Sequence, residues 1–479
     1  MLAVVAAAGA VAVSALVFPY LTVNSDESVY LVQADALRHG HLFPPAPEPG
    51  DAFVPWLSVE RDGHYVTKYT PVHAAVVALA ELLGHRRVAL ALLAGALVVA
   101  TWAAASSVLR SRRLGLLAAA FVALSPVVIV QSGTFLPYLG NLVLLIAFVA
   151  AVGRRRWAVA GLVLGLAFFA RPFDALVFGL PFVVWLLARR RWAEVGRLAA
   201  GAVGPGILVL LYFRAATGSP FRAPFNLLDP SDSVGFGSRR MTPYEAPVEF
   251  GIDLGSRAMG THALLMSFWT FGGLVLVALA VAGCTRVRRS DPLLPLALTA
   301  ITVPLGYLFF WGTYNALSWG GPFHLGPYYW MPVLLPLAVL AAAGWEVLET
   351  RDRVVSRLAL AGMALLAGAV TVDAVSTGRE FTSSDRKVWA AVDDASPSRA
   401  IVFLQERQLG HPIQLATNGG DRPGGDVVWA LDRGPCRNDA VVQAFPGRRA
   451  YVLLMSGRYR ARPPDPSLEV RLEPATVGC

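Results

Sequence analysis

Apolar runs longer than 15 residues recur from Met1 to about residue 373, separated by short clusters of arginine. Few folds can absorb that pattern. Only 15% of the 479 residues are charged and 55% are hydrophobic, with a mean hydropathy of +0.54, whereas soluble domains carry roughly 25% charged residues. The pattern predicts an α-helical polytopic membrane protein. It excludes a soluble cytoplasmic enzyme, a disordered chain and a disulfide scaffold.

Eleven spans are expected, near 1–23, 88–109, 115–131, 137–152, 157–170, 174–188, 198–214, 263–283, 292–311, 327–348 and 357–374. Several fall short of the roughly 20 residues that a lipid-exposed helix needs, so these must be tilted, broken or sheltered. Arginine clusters follow alternate spans: Arg110, Arg112 and Arg113; Arg154 to Arg156; Arg189 to Arg191; Arg286, Arg288 and Arg289; Arg351, Arg353 and Arg357. The positive-inside rule puts all five on the cytoplasmic side, the N-terminus inside and the C-terminal segment outside. The first span lacks a signal peptide's positive flank, since the first arginine is Arg38. It reads as an uncleaved anchor, or as what remains when a start site is placed too late.

All but two of the 41 basic residues are arginine, which reads as the bias of a GC-rich bacterial genome and places the chain in a bacterial plasma membrane. The net charge of +9 would ordinarily suggest an anionic partner. Here the basic residues lie in loops between apolar runs, so the lipid bilayer is the expected surface and nucleic acid is not.

Residues 1–374 form the expected transmembrane domain, with outer loops at 24–87 and 215–262 too long to be mere connectors. Residues 375–479 are expected to form a small extracytoplasmic α/β domain. Its expected parts are a polar helix from Asp385 to Asp394, strands at Ala400–Leu404, Asp426–Leu431 and Arg449–Met455, and a helix at Arg437–Phe445. Cys436 and Cys479 both fall there, where an oxidising compartment permits a bridge. Cys284 reads as a reduced, inert thiol.

The informative residues are polar groups at membrane depth. Asn24-Ser25-Asp26-Glu27 follows the first span. Asn24 can cap a helix running to about His39, with Glu27 completing a capping box. Neighbouring helical side chains diverge by about 100°, so one carboxylate can serve the cap while the other faces a cavity. Lys68 is one of two lysines. It is either a snorkelling interfacial residue or a position that requires a compact ammonium. Arg171 interrupts two apolar runs, and at membrane depth an arginine costs at least ~2.5–3.5 kcal/mol unless paired or hydrated. Either Asp174 pairs with it or it faces an anion. Tyr138, Asn141, His324, Tyr328 and Tyr329 are interface aromatics and polar residues that can also line a pocket. His262 reads as a core residue, and His73 reads equally as a core residue or a ligand.

Six fragments in this order resemble the polyprenyl-phosphate-sugar-dependent glycosyltransferases of the C-type superfamily, a group that includes protein O-mannosyltransferases and lipid A aminoarabinose transferases. They are Asp26-Glu27, Lys68-Tyr69-Thr70-Pro71, Leu124-Ser125-Pro126, Ala170-Arg171-Pro172, Thr217-Gly218-Ser219-Pro220-Phe221 and Gly326-Pro327-Tyr328-Tyr329. The resemblance implies Asp26 as catalytic base and Lys68 and Arg171 as ligands of the donor phosphate; Glu27 is a second catalytic candidate, and Tyr69, Tyr138, His324 and Tyr328 are candidates for the substrate pocket. Two departures leave the substrate open. Tyr69 and Thr70 separate the lysine from its proline, and Tyr138 stands near where many relatives carry a histidine.

The implied function is transfer of a monosaccharide from a polyprenyl-phosphate donor to an extracytoplasmic lipid, glycan or protein acceptor, with inversion. No resident cofactor is expected, because two cations can balance a monophosphate, although an Asp–Glu pair can also hold a divalent metal. The alternatives are a transporter or lipid-linked sugar flippase, which would spread its charges through several spans and show inverted repeats, and a non-catalytic assembly protein, which would give Arg171 and Lys68 no special task.

Overall fold

The computed structural model describes residues 1–289, 291–395, 399–405 and 425–478. Helix α1 (Leu2–Leu16) leads into α2 (Asp26–Arg38), and a hairpin of β1 (Ser58–Arg61) and β2 (His64–Thr67) precedes α3 (Val72–Leu82). The bundle continues through α4 (Arg87–Leu109), α5 (Arg112–Ala123), α6 (Pro126–Ser132), α7 (Tyr138–Gly153), α8 (Trp157–Ala170), α9 (Pro172–Ala188) and α10 (Trp192–Thr217). A second hairpin, β3 (Gly237–Arg239) with β4 (Val248–Phe250), lies in the second large loop. Helices α11 (Ile252–Trp269), α12 (Leu274–Gly283), α13 (Leu293–Tyr307), α14 (Trp311–Ser318), α15 (Gly321–Leu325) and α16 (Leu334–Arg351) follow, and α17 (Arg353–Asp394) leaves the bundle.

Among the described residues, four helical segments are long and apolar enough to cross a membrane: α4, α10, Tyr328–Arg351 and α17. Three bent pairs also qualify when each is taken as one span, α5–α6 at 66°, α11–α12 at 94° and α13–α14 at 71°. The remaining apolar helices α1, α3, α7, α8 and α9 are shorter. These short and bent segments are of the kind expected to be tilted, broken or sheltered. Proline and glycine set most of the breaks. Ser125 is extended before Pro126, which starts α6, as expected of a residue preceding proline. Gly272 and Gly273 take φ of +82° and +57° at the α11–α12 corner, a region open to glycine at little steric cost.

Close helix packing uses small residues. A β-carbon on Gly161 of α8 would lie 1.8 Å from Leu198 O of α10, and one on Gly201 1.9 Å from Ala158 O. The pair is reciprocal, so the two backbones touch.

The 42-residue α17 joins the last expected span to the expected polar helix without a break. Asp352 caps it, its carboxylate accepting from the amides of Val354 and Val355 at 2.8 and 3.0 Å. Beyond it lie β5 (Ala400–Leu404), β6 (Val427–Leu431), α18 (Pro435–Ala444), β7 (Arg449–Ser456) and β8 (Glu469–Pro474), the last unanticipated. The sheet order is β6-β5-β7-β8, with β5 parallel to both neighbours and β8 antiparallel to β7. One face of the sheet buries Val402, Leu404, Trp429 and Leu453 against Val388 and Val392 of α17. The other buries Ile401, Phe403, Val428 and Ala430 with Val441 of α18 and Ala52 of the first large loop. Cys479 lies outside the described residues, and the expected bridge to Cys436 falls there with it.

Candidate active site

The first large loop is held to the bundle through the segment around Lys68. Gln33 Nε2 on α2 donates to Thr67 Oγ1 at 2.5 Å and to Tyr69 O at 2.9 Å. Tyr212 of α10 donates to the same Tyr69 carbonyl at 3.1 Å, and Thr70 Oγ1 donates to Ala170 O at 3.1 Å. The two residues that separate Lys68 from Pro71 thus have tasks. Tyr69 reaches the carboxylate of Asp26, its phenol donating to Oδ2 at 2.7 Å, and Thr70 fastens the loop beside Arg171.

Asp26 begins α2. Its Oδ1 accepts from Trp56 Nε1 at 3.4 Å, and its amide donates to Asn24 Oδ1 at 3.0 Å. Burial pushes the Asp26 carboxyl above the ordinary range, opposed by the Tyr69 hydrogen bond, the charge of Lys68, the Trp56 hydrogen bond and the charge of Arg171. A base with a raised pKa is better matched to neutral pH than an ordinary carboxylate.

The expected capping box is absent. Ser25 is the N-cap and makes no side-chain cap bond. Fully buried Glu27 instead accepts from Thr22 N at 2.5 Å with Oε2 and from Phe135 N at 2.6 Å with Oε1. These buried backbone donors, Thr22 before α2 and Phe135 before α7, outcompete the local cap because they have no water to replace the carboxylate. With both oxygens so engaged, Glu27 braces the first loop against the bundle. Among the described residues, no three His, Cys, Asp or Glu side chains gather as metal ligands.

Lys68 is buried. Its Nζ lies 2.5 Å from Asp232 Oδ2 and 4.2 Å from the centroid of the Phe225 ring, both on the second large loop. Asp232 Oδ1 also accepts from Trp311 Nε1 at 3.0 Å. A snorkelling lysine would reach water, and this one does not.

Arg171 lies between α8 and α9 with φ −147° and ψ 89°, driven from helical geometry by Pro172. Its Nε donates to Asp174 Oδ2 at 2.6 Å. Asp174 is fixed in turn by Asn141 Nδ2 at 2.9 Å and by the Tyr307 hydroxyl. The guanidinium lies 4.4 Å from the Tyr138 ring centroid and 5.8 Å from that of Tyr329. Tyr138 and Tyr328 are in contact, centroids 4.6 Å apart. Arg171 therefore pairs with Asp174 and also lies over the aromatic cluster.

Asp26, Lys68, Tyr69, Tyr138, Arg171 and Tyr328 are thus drawn together, but His324 is not. Gly326, with φ +76°, turns the chain between His324 and Tyr328. His324 packs on Phe381 of α17 instead, ring centroids 4.3 Å apart. His73 and His262 are core residues. His73 Nε2 is bonded to Phe135 O at 2.9 Å and His262 Nδ1 to Ala258 O at 2.9 Å. Sequence reasoning missed Trp56, Asp232, Trp311 and Tyr307. The run Asp229-Pro230-Ser231-Asp232 was the one visible signal, a turn-forming sequence that could present a carboxylate.

The chain shares its fold with ArnT from Cupriavidus metallidurans bound to undecaprenyl phosphate, at a TM-score of 0.55 and 14% identity over 98% of each chain. The apo state of ArnT from the same organism gives 0.51 and 16%, covering 86% of this chain and 84% of that one. No curated protein matches the sequence. The helical bundle and the sequence family together define a membrane glycosyltransferase. The chain belongs to glycosyltransferase family 87, whose model matches residues 67–310, half its length. That stretch includes Lys68, Arg171 and Asp232 and leaves Asp26 outside.

Proposed function

We propose that the protein transfers a monosaccharide from a polyprenyl phosphate to a hydroxyl or amine of an extracytoplasmic acceptor. The observation that carries this reading is the convergence of Asp26, Lys68 and Arg171 through Tyr69 and Thr70, a base beside two cations. The ArnT relative holds undecaprenyl phosphate, which supports a lipid phosphate as donor. The arginine clusters mark the cytoplasmic side, so the large loops, the site and the C-terminal sheet face outward from the plasma membrane.

Asp26 takes the acceptor proton as the acceptor atom bonds to the anomeric carbon. The bond from that carbon to the phosphate oxygen breaks, and the electron pair leaves on the phosphate. Attack from the opposite face inverts the anomeric centre. The phosphate gains a negative charge during the step, so Lys68 and Arg171 bind the transition state more tightly than the donor. The aromatic group of Tyr138, Tyr328 and Tyr329 offers faces and hydroxyls to a sugar.

The test is transfer from a panel of polyprenyl-phosphate monosaccharides in membranes carrying wild type or Asp26→Asn, with native envelope extract as the source of acceptor. Donor-specific turnover by wild type alone supports the reading, and equal turnover by both contradicts it.

A further inference from the structure

The charged groups of the site carry no positive excess. Asp26, Asp174 and Asp232 face Lys68 and Arg171, and each cation already holds a carboxylate, Lys68 at 2.5 Å and Arg171 at 2.6 Å. The Lys68–Asp232 pair is closed off from solvent, with side chains 4% and 2% exposed. A phosphate arriving at Lys68 meets an ammonium whose charge is already balanced, and a second anion within contact distance of that balance is repelled strongly in a buried site.

The two carboxylates differ in how they are held. Asp174 is three residues from Arg171 on the same helix start, with Asn141 and Tyr307 as further partners. Asp232 comes from a distant loop, on a compact turn. Asp229 Oδ1 accepts from Ser231 N at 2.9 Å and Ser231 Oγ at 2.7 Å, and Asp232 N donates to Asp229 O at 3.1 Å. Arg240 Nε anchors Asp229 Oδ2 at 2.5 Å. From outside the turn, Asp232 Oδ1 accepts from Trp311 Nε1 at 3.0 Å.

We propose that Asp232 is a resident counter-anion occupying the donor phosphate's place on Lys68, and that donor binding exchanges carboxylate for phosphate and releases the turn that carries it. The proposal rests on the reading of Lys68 as a phosphate ligand. The exchange keeps a buried ammonium paired at every stage, since an unpartnered one would be strongly destabilising. It also couples the arrival of the donor to a movement of the second large loop, which brings Asp232 and Phe225 against Lys68.

The experiment measures binding of undecaprenyl phosphate to the full-length protein in lipid nanodiscs. Asp232→Asn removes the competing charge while keeping the shape, and is expected to bind about tenfold tighter than wild type. Asp232→Glu keeps a carboxylate and is expected to stay near wild type, and adding Lys68→Gln to Asp232→Asn is expected to abolish the gain. Equal or weaker binding by a folded Asp232→Asn overturns the exchange and makes Asp232 a residue that orients Lys68. Absence of binding by wild type and every variant overturns the phosphate site and the exchange with it. Should Asp232→Asn fail to fold, hydrogen exchange of wild type decides. Faster exchange across 229–240 on adding undecaprenyl phosphate is expected, and unchanged or slower exchange contradicts the proposal.

Discussion

The phenol of Tyr69 donates a 2.7 Å hydrogen bond to the carboxylate of Asp26, across 43 residues of chain and between two elements that share no secondary structure. The Tyr69 ring also lies nearly parallel to that of Tyr30, centroids 5.0 Å apart. The residue that follows Lys68, the proposed phosphate ligand, thereby fixes the proposed base. Donor and acceptor chemistry are tied together by one tripeptide, Lys68-Tyr69-Thr70.

Removing that phenol isolates its electrostatic role. The bond stabilises the ionised carboxylate and lowers its pKa against the larger effect of burial. Tyr69→Phe keeps the ring stacked on Tyr30 and loses the bond, so the Asp26 pKa rises further. A base must be deprotonated to act, so the acidic limb of the pH–rate profile is expected to move to higher pH. The profile of kcat/KM against pH checks this, and an unmoved limb would separate Tyr69 from the base.

Glu27 is expected to behave as a structural residue. Glu27→Gln retains one acceptor oxygen and turns an NH2 toward a backbone amide, leaving buried donors unpaired at a cost of about 1–3 kcal/mol. Expression level and Tm should fall, while the acidic limb of activity in the folded fraction stays where it was.

The C-terminal sheet depends on a buried ion pair. Arg460 Nη2 lies 2.9 Å from Asp385 Oδ2, with side chains 6% and 0% exposed, and the Tyr459 hydroxyl also donates to Asp385. Removing one partner of a buried pair costs about 3–5 kcal/mol. Arg460→Ala is expected to loosen the sheet from α17, read as faster proteolysis after residue 395 before the bundle unfolds.

Transfer is expected to proceed in excess chelator. Glu27 is committed to the amides of Thr22 and Phe135, so both of its oxygens are taken up by backbone donors and the Asp26–Glu27 pair offers no ready clamp for a divalent ion. Activity restored only by an added divalent ion would contradict this.

Much of the site was legible because charge at membrane depth is rare and needs a cause. Asp26, Lys68 and Arg171 stood out individually for that reason. Their partners did not. Asp232 sits in a loop where acids are ordinary, and Trp56 follows a Pro-rich stretch with no periodicity, so only tertiary folding connects them to Lys68 and Asp26. The capping box failed because hydrogen-bond donors remote in sequence, the amide of Phe135 above all, engage Glu27 more completely than its own helix end. Span counting was weakest where hydropathy hides a corner. The run at 115–131 is continuous in composition yet bends at Ser125, and the 327–348 run opens as a 3₁₀ turn, Tyr328–Val333, before α16. Conversely, the polar helix expected after residue 375 is continuous with the last span in α17.

The most direct test of the central claim pairs activity with stability in Asp26→Asn. Burial raises the Asp26 pKa in the folded protein, so its folding contribution is most favourable below the unfolded pKa and diminishes as pH rises through the folded one. The ionised form of the side chain is therefore less stable in the fold than the neutral form. Asp26→Asn is predicted to show a Tm at pH 7 equal to or above that of wild type, together with at least a ~100-fold loss of transfer from the active polyprenyl-phosphate sugar. A well-folded Asp26→Asn that transfers sugar at the wild-type rate would contradict the account and return Asp26 to a structural role at the start of α2.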